Sequence, residues 1–130
     1  MRYLGHSFLF SGKYEEAISS YQKFLTLSKG SPLAIARIGY AYALAGKKDK
    51  ALQMLERLNE LSKDMYVSPF NRAYIYAGVG EKDKAFKYLE ECYQKKVYVI
   101  IWIKVLPHFD TLRSDPRFTA LLKKMGLPED

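Results

Sequence analysis

Few side chains in this sequence have the type and spacing for covalent chemistry. His6 and His108 stand far apart, and neither has a carboxylate or a cysteine at a spacing that would make it a general base or a metal ligand. Cys92 is the single cysteine, so the sequence offers no internal disulfide and no thiolate-rich zinc site. Glu15-Glu16 and Glu90-Glu91 read as solvent-facing pairs with no acid–base role. Gly78-Val79-Gly80 is too short for a dinucleotide loop and follows a helical pattern rather than a strand. The expectation is a protein that is not an enzyme and that carries no cofactor and no metal.

A second group of residues suits non-covalent recognition. His6, Tyr40 and Tyr74 recur at intervals of 34. Tyr3, Arg37 and Asn71 lie three residues before them, and Phe10 and Leu44 lie four beyond the first two. Tyr and Arg anchor interfaces because each is large and keeps a polar tip. Placed on one surface, Tyr3, His6, Phe10, Arg37, Tyr40, Leu44, Asn71 and Tyr74 would form an aromatic groove with one fixed cation. The competing reading is that these aromatics pack between helices.

The elements that would position them come from an internal repeat. Gly5, Gly39 and Ala73 share the period of 34, as do Phe8, Tyr42 and Tyr76, then Gly12, Gly46 and Gly80. Ala17, Ala51 and Ala85 follow, then Tyr21, Leu55 and Leu89, and finally Phe24, Leu58 and Cys92. Each unit reads as two helices. A small residue and an aromatic share one face of the first helix. A glycine after that helix meets the need for a left-handed cap. Alanine and bulky residues at i, i+4 and i+7 make the buried stripe of the second. The spacing predicts helices at about 2–11 and 14–27, 32–45 and 48–62, and 68–79 and 82–95. Ser31-Pro32 and Ser68-Pro69 supply an N-cap followed by proline at the first helical position.

This pattern resembles the tetratricopeptide repeat (TPR) family. The family signature is a Leu-Gly pair, an aromatic three residues on, a later Ala, and a bulky residue four beyond it. Leu4-Gly5, Phe8, Ala17 and Tyr21 fit it, as do Ile38-Gly39, Tyr42, Ala51 and Leu55. Arg72-Ala73, Tyr76, Ala85 and Leu89 fit with Gly replaced by Ala, and the closing Pro is missing at Lys29, Lys63 and Val97. The resemblance implies an all-α fold, a superhelical solenoid of three antiparallel helix pairs over 1–96 (about 1–30, 31–64 and 65–96). It also implies that first helices line a concave surface that binds a protein or peptide segment. One branch of the family clamps a terminal carboxylate with paired Lys and Asn. Tyr40 and Tyr74 stand where that clamp would want Asn, so no such clamp is expected.

Residues 97–130 break the period. Val97–Ile103 is β-branched and aromatic, but a lone strand has nothing to pair with, and a short irregular helix packed on the third unit is preferred. Asp115-Pro116 starts a second helix, Phe118, Leu121, Leu122 and Met125 stripe it, and Gly126 ends it, so a capping helix at about 116–125 is expected. The run Leu106–Phe118 with Met125-Gly126-Leu127-Pro128, together with Tyr66–Gly80, resembles the C-terminal TPR regions of multidomain microbial signalling and regulatory proteins. Met1 falls at the fourth position of the first helix, which suggests the C-terminal part of a longer array with an uncapped first repeat. Self-association through that face, around Phe8, is one alternative to groove binding.

The chain has 130 residues, 21 Lys and Arg against 14 Asp and Glu, and a formal net charge of +7. The charge invites a nucleic-acid reading through Lys47, Lys48, Lys50, Lys82, Lys84, Lys87, Lys95 and Lys96. Asp49 and Asp83 interrupt the cluster, and a solvated edge is the default. No window is apolar enough to span a bilayer, Val97–Leu106 being about half the length needed, and the N-terminus is a poor secretory signal, so a cytoplasmic protein is expected.

Overall fold

The computed structural model describes residues 12–95, 109 and 112–126. Their helices are α1 (Tyr14–Leu27), α2 (Pro32–Leu44), α3 (Lys48–Leu61), α4 (Pro69–Val79), α5 (Lys82–Gln94) and α6 (Pro116–Met125). No strand occurs among the described residues. The chain divides into two compact units, Met1–Val67 and Ser68–Asp130. The helix expected at 2–11 and the segment Val97–Leu106 lie outside the described residues.

In the first unit, α2 packs against both α1 and α3. Ala17, Ile18 and Tyr21 of α1 meet Ile38, Tyr40 and Ala41 of α2 in one buried cluster. Every residue from Ala34 to Ala41 is buried, so the middle of α2 is covered on all sides, while Tyr42, Ala43 and Leu44 at its end are half-buried. That fits its composition, because Arg37 is its only charged residue. α3 is amphipathic by contrast and buries Ala51, Leu55 and Leu58 at i, i+4 and i+7.

The second unit repeats the plan with α4 and α5. Ala85, Leu89 and Cys92 hold the same spacing in α5, and all three are fully buried. The tail completes this core. Phe109 sits with its ring centroid 5.4 Å from Phe70 and 5.5 Å from Tyr74. α6 buries Phe118, Leu121 and Leu122. It also ties to α5 through Arg117 Nη1 to Asp83 Oδ1 at 2.6 Å and Lys124 Nζ to Glu90 Oε1 at 3.1 Å. These pairs face water and contribute little beside the buried side chains.

The helix ends follow the local chemistry of the sequence. Gly46 (φ +80°) and Gly80 (φ +85°) both adopt the left-handed conformation. Lys47 N–H donates to the Tyr42 carbonyl at 2.9 Å, and Glu81 N–H donates to the Tyr76 carbonyl at 3.0 Å. Gly46 and Gly80 N–H donate to Ala43 and Ala77, which completes the same two-bond C-terminal cap in each repeat. Asp115 Oδ1 accepts the Arg117 backbone N–H at 2.9 Å at the start of α6. Ser68 Oγ accepts from Phe70 N–H at 3.3 Å. Ser31 occupies the equivalent place before α2, but its side chain makes no cap bond. Its backbone N–H donates instead to Ser28 Oγ at 3.4 Å.

Candidate binding face

α2 and α4, the first helices of the second and third repeats, carry recognition residues named from the sequence. In α2, Arg37, Tyr40 and Leu44 fall at i, i+3 and i+7, so they share one face. Tyr40 is 5% exposed and belongs to the cluster with Ala17, Ile18 and Tyr21. Leu44 is half-buried at the edge of that cluster. In α4, Tyr74 is 3% exposed. It meets Phe70 edge-on, with centroids 5.2 Å apart and planes at 85°. Asn71, one turn earlier, is also buried. Both tyrosine rings therefore fill the core of their own unit. Tyr3, His6 and Phe10 lie outside the described residues, as do His108 and the Phe8 face invoked for self-association.

Arg37 differs from these neighbours. It is 9% exposed, and its Nε and Nη1 have no hydrogen-bond partner. Buried polar atoms are almost always paired, because the water they give up must be replaced. A guanidinium cannot escape by losing its proton, since it stays charged in proteins. Arg37 thus brings two buried nitrogens without an acceptor to a face that is otherwise apolar.

The basic turns are occupied differently. Lys47 Nζ pairs with Glu15 Oε1 at 2.9 Å, and Lys95 Nζ pairs with Glu91 Oε2 at 3.2 Å. Lys50 Nζ stands 5.5 Å from the centroid of Tyr42, and one period later Lys84 Nζ stands 5.5 Å from that of Tyr76. Tyr76 in turn stacks on Tyr88, with planes 3° apart and centroids separated by 5.6 Å. Arg72 and Lys87 lie over the Tyr88 ring. Lys50, Lys84 and Arg72 thereby join the two helices of a repeat, while Lys87 lies over the ring of its neighbour on α5. Reading the lysines as a solvated edge missed this use. The signal was present in the sequence, since Tyr42 and Lys50 keep the same separation as Tyr76 and Lys84.

Among the described residues, no group of three or more His, Cys, Asp or Glu could hold a metal ion. Cys92 is fully buried, and burial, then the Glu91 charge, push its thiol up to about 12. It is a packing residue at neutral pH. Among the described residues, no helix is long and apolar enough to cross a membrane.

Two tetratricopeptide repeat family models match the chain, one over residues 9–65 and the other over residues 70–94. No curated protein and no solved structure matches it.

Proposed function

Because the chain belongs to the tetratricopeptide repeat family, whose repeats mediate protein–protein interaction, we propose that it is a non-catalytic scaffold that holds a partner segment on the α2 face bearing Arg37, Tyr40 and Leu44. The observation that carries the reading is the repeated helix pair. α2–α3 and α4–α5 reuse one set of caps, one buried stripe and one Tyr–Lys contact, so the aromatic and basic residues are largely committed to stacking. Of Arg37, Tyr40 and Leu44, the half-buried Leu44 is the one open to a ligand. Asn71 and Tyr74 of α4 hold the register positions of Arg37 and Tyr40 in the second unit. An extended or helical segment with apolar anchors fits the α2 face.

The resemblance of Leu106–Phe118 and Tyr66–Gly80 to TPR regions of microbial regulators supports a place in a larger signalling or regulatory protein, acting in the cytoplasm. Nucleic-acid contact has less support. Lys47 and Lys95 are neutralised by glutamates, while Lys50, Lys84 and Lys87 are held over tyrosine rings.

The test must spare the core. Replacing Tyr40 and Tyr74 by Ala would remove two buried rings, at about 3–5 kcal/mol each, and would unfold the protein rather than probe its surface. Leu44→Gln is the better variant, with Gln53→Glu on the exposed side of α3 as control. Immobilised protein should capture a partner from the source cell. Leu44→Gln should lose that partner while the protein keeps its helicity and a cooperative melt, and Gln53→Glu should keep it. Equal capture by all three proteins contradicts the assignment of this face.

A further inference from the structure

We infer that the edge of the second unit where α4 meets α5 is a docking surface for an acidic peptide segment, a run of Asp and Glu side chains lying across Arg72, Lys84 and Lys87. The surface belongs to α4 and α5 and is independent of the reading of α2. Lys84 and Lys87 are exposed, while Arg72, Tyr76 and Tyr88 are half-buried. Tyr76 and Tyr88 stack on each other. Lys84 Nζ lies 5.5 Å from the Tyr76 centroid, and Arg72 Cζ and Lys87 Nζ lie 5.7 Å and 5.5 Å from that of Tyr88. Three cations are thus gathered around one ring pair. A ring attracts a cation without cancelling its charge, so the ammonium groups keep charge and N–H donors for an acceptor.

Two observations set this patch apart from a solvated edge. The first is where the carboxylates of α5 go. Asp83 and Glu90 pair with Arg117 and Lys124 of α6, and Glu91 pairs with Lys95. Lys84 and Lys87 pair with no carboxylate among the described residues. The second is the comparison between repeats. The Tyr76–Lys84 contact recurs as Tyr42–Lys50, so it belongs to the scaffold. One period before Arg72, Lys87 and Tyr88 stand Ile38, Gln53 and Met54, none of them charged. The other two cations and the second ring are additions that the helix pair does not require.

Charge and surroundings select the occupant. A second copy of the chain carries the same net charge of +7 and is repelled. A membrane surface calls for exposed apolar side chains beside the cations. The exposed large apolar side chains among the described residues are Leu27, Leu52, Met65 and Tyr66, all in the first unit. Single-stranded nucleic acid needs open ring faces on which its bases stack, and both rings here are engaged with each other and with cations. Side-chain carboxylates need the cations alone, and successive ones along a short segment reach several of them.

The probe is a labelled hexaglutamate peptide, capped at both ends and followed by fluorescence anisotropy at about 50 mM salt. It should bind saturably, weaken as salt rises, and bind at least about fivefold more tightly than capped hexaglutamine. Lys84→Gln with Lys87→Gln should lose that advantage, and Lys84→Arg with Lys87→Arg should keep it. Lys23→Gln with Arg57→Gln removes the same charge from exposed positions of the first unit and should also keep it. In the parent, amide shifts caused by the peptide should centre on 72–76 and 84–88, a readout that needs no variant. Equal losses in the two Gln pairs overturn the inference, because the attraction would then come from net charge. A shift map centred elsewhere overturns it as well. So does tighter binding of an oligothymidylate or of phosphatidylserine vesicles at matched charge, which would assign the surface to nucleic acid or to a membrane.

Discussion

Cys92 and Arg37 are both buried, and they deal with burial in opposite ways. The thiol gives up its ionisation. Held at about 12 by desolvation and by Glu91, against an ordinary value of 9.0, it stays neutral through the physiological range. The unfolded chain ionises first, so the stability due to the neutral thiol is complete below about pH 9 and is lost as pH rises toward 12. Native protein should therefore react with a thiol reagent such as iodoacetamide at pH 8 only as fast as it unfolds. Protein in denaturant should be modified at the rate of a free cysteine. Rapid modification of the native form would place the thiol at the surface. The guanidinium of Arg37 has no such escape, and its Nε and Nη1 stay buried without an acceptor. The burial of Cys92 was legible in the sequence, because it shares a repeat position with Phe24 and Leu58. The isolation of Arg37 was not. Position named it as a cation on a face, but only the packing around α2 shows that its Nε and Nη1 are buried without an acceptor.

At the scale of elements the sequence spoke most clearly through its punctuation. Pro32, Pro69 and Pro116 each open a helix, and Gly46, Gly80 and Gly126 each follow one at positive φ. α1 runs Tyr14–Leu27, as the spacing predicts, and α2 to α5 differ from expectation by a residue at their ends. Local chemistry controls such ends, so they can be read without knowledge of the fold. What could not be read was the partner of each exposed side chain. Lys50 and Lys84 lie on the tyrosines of their own repeats, a contact made only once two helices have met. The caps make a definite prediction. A Cβ at Gly80 would meet nothing within 4 Å, so Gly80→Ala carries only the backbone cost of the left-handed conformation, about 1–2 kcal/mol. Gly80→Asn should cost less, since asparagine tolerates that conformation better. Thermal melts of the two variants beside the parent check the order. A Gly80→Ala variant as stable as the parent would mean that the cap does not hold the end of α4.

The whole molecule was legible as a repeat but not as two compact units. The period of 34 runs through residue 67 without a break, so nothing in it marks a boundary between Met1–Val67 and Ser68–Asp130. The tail was read as a cap, and Phe109, Leu112 and the Phe118, Leu121 and Leu122 side chains of α6 are buried in the second unit. The groove was the least legible feature. Tyr40 and Tyr74 were named for it by spacing, but spacing fixes the face of a helix and does not say what covers that face. Their rings fill two cores, and of the α2 residues named for the groove Leu44 alone is partly exposed.

The claim that this face receives a protein is tested most directly by photo-crosslinking in the source cell. A benzophenone amino acid is placed at position 44 in one protein and at position 53, on the exposed side of α3, in another. The account predicts a discrete adduct with a second protein from position 44 and none from position 53. Adducts of equal yield from both positions, or no adduct from position 44, would contradict it.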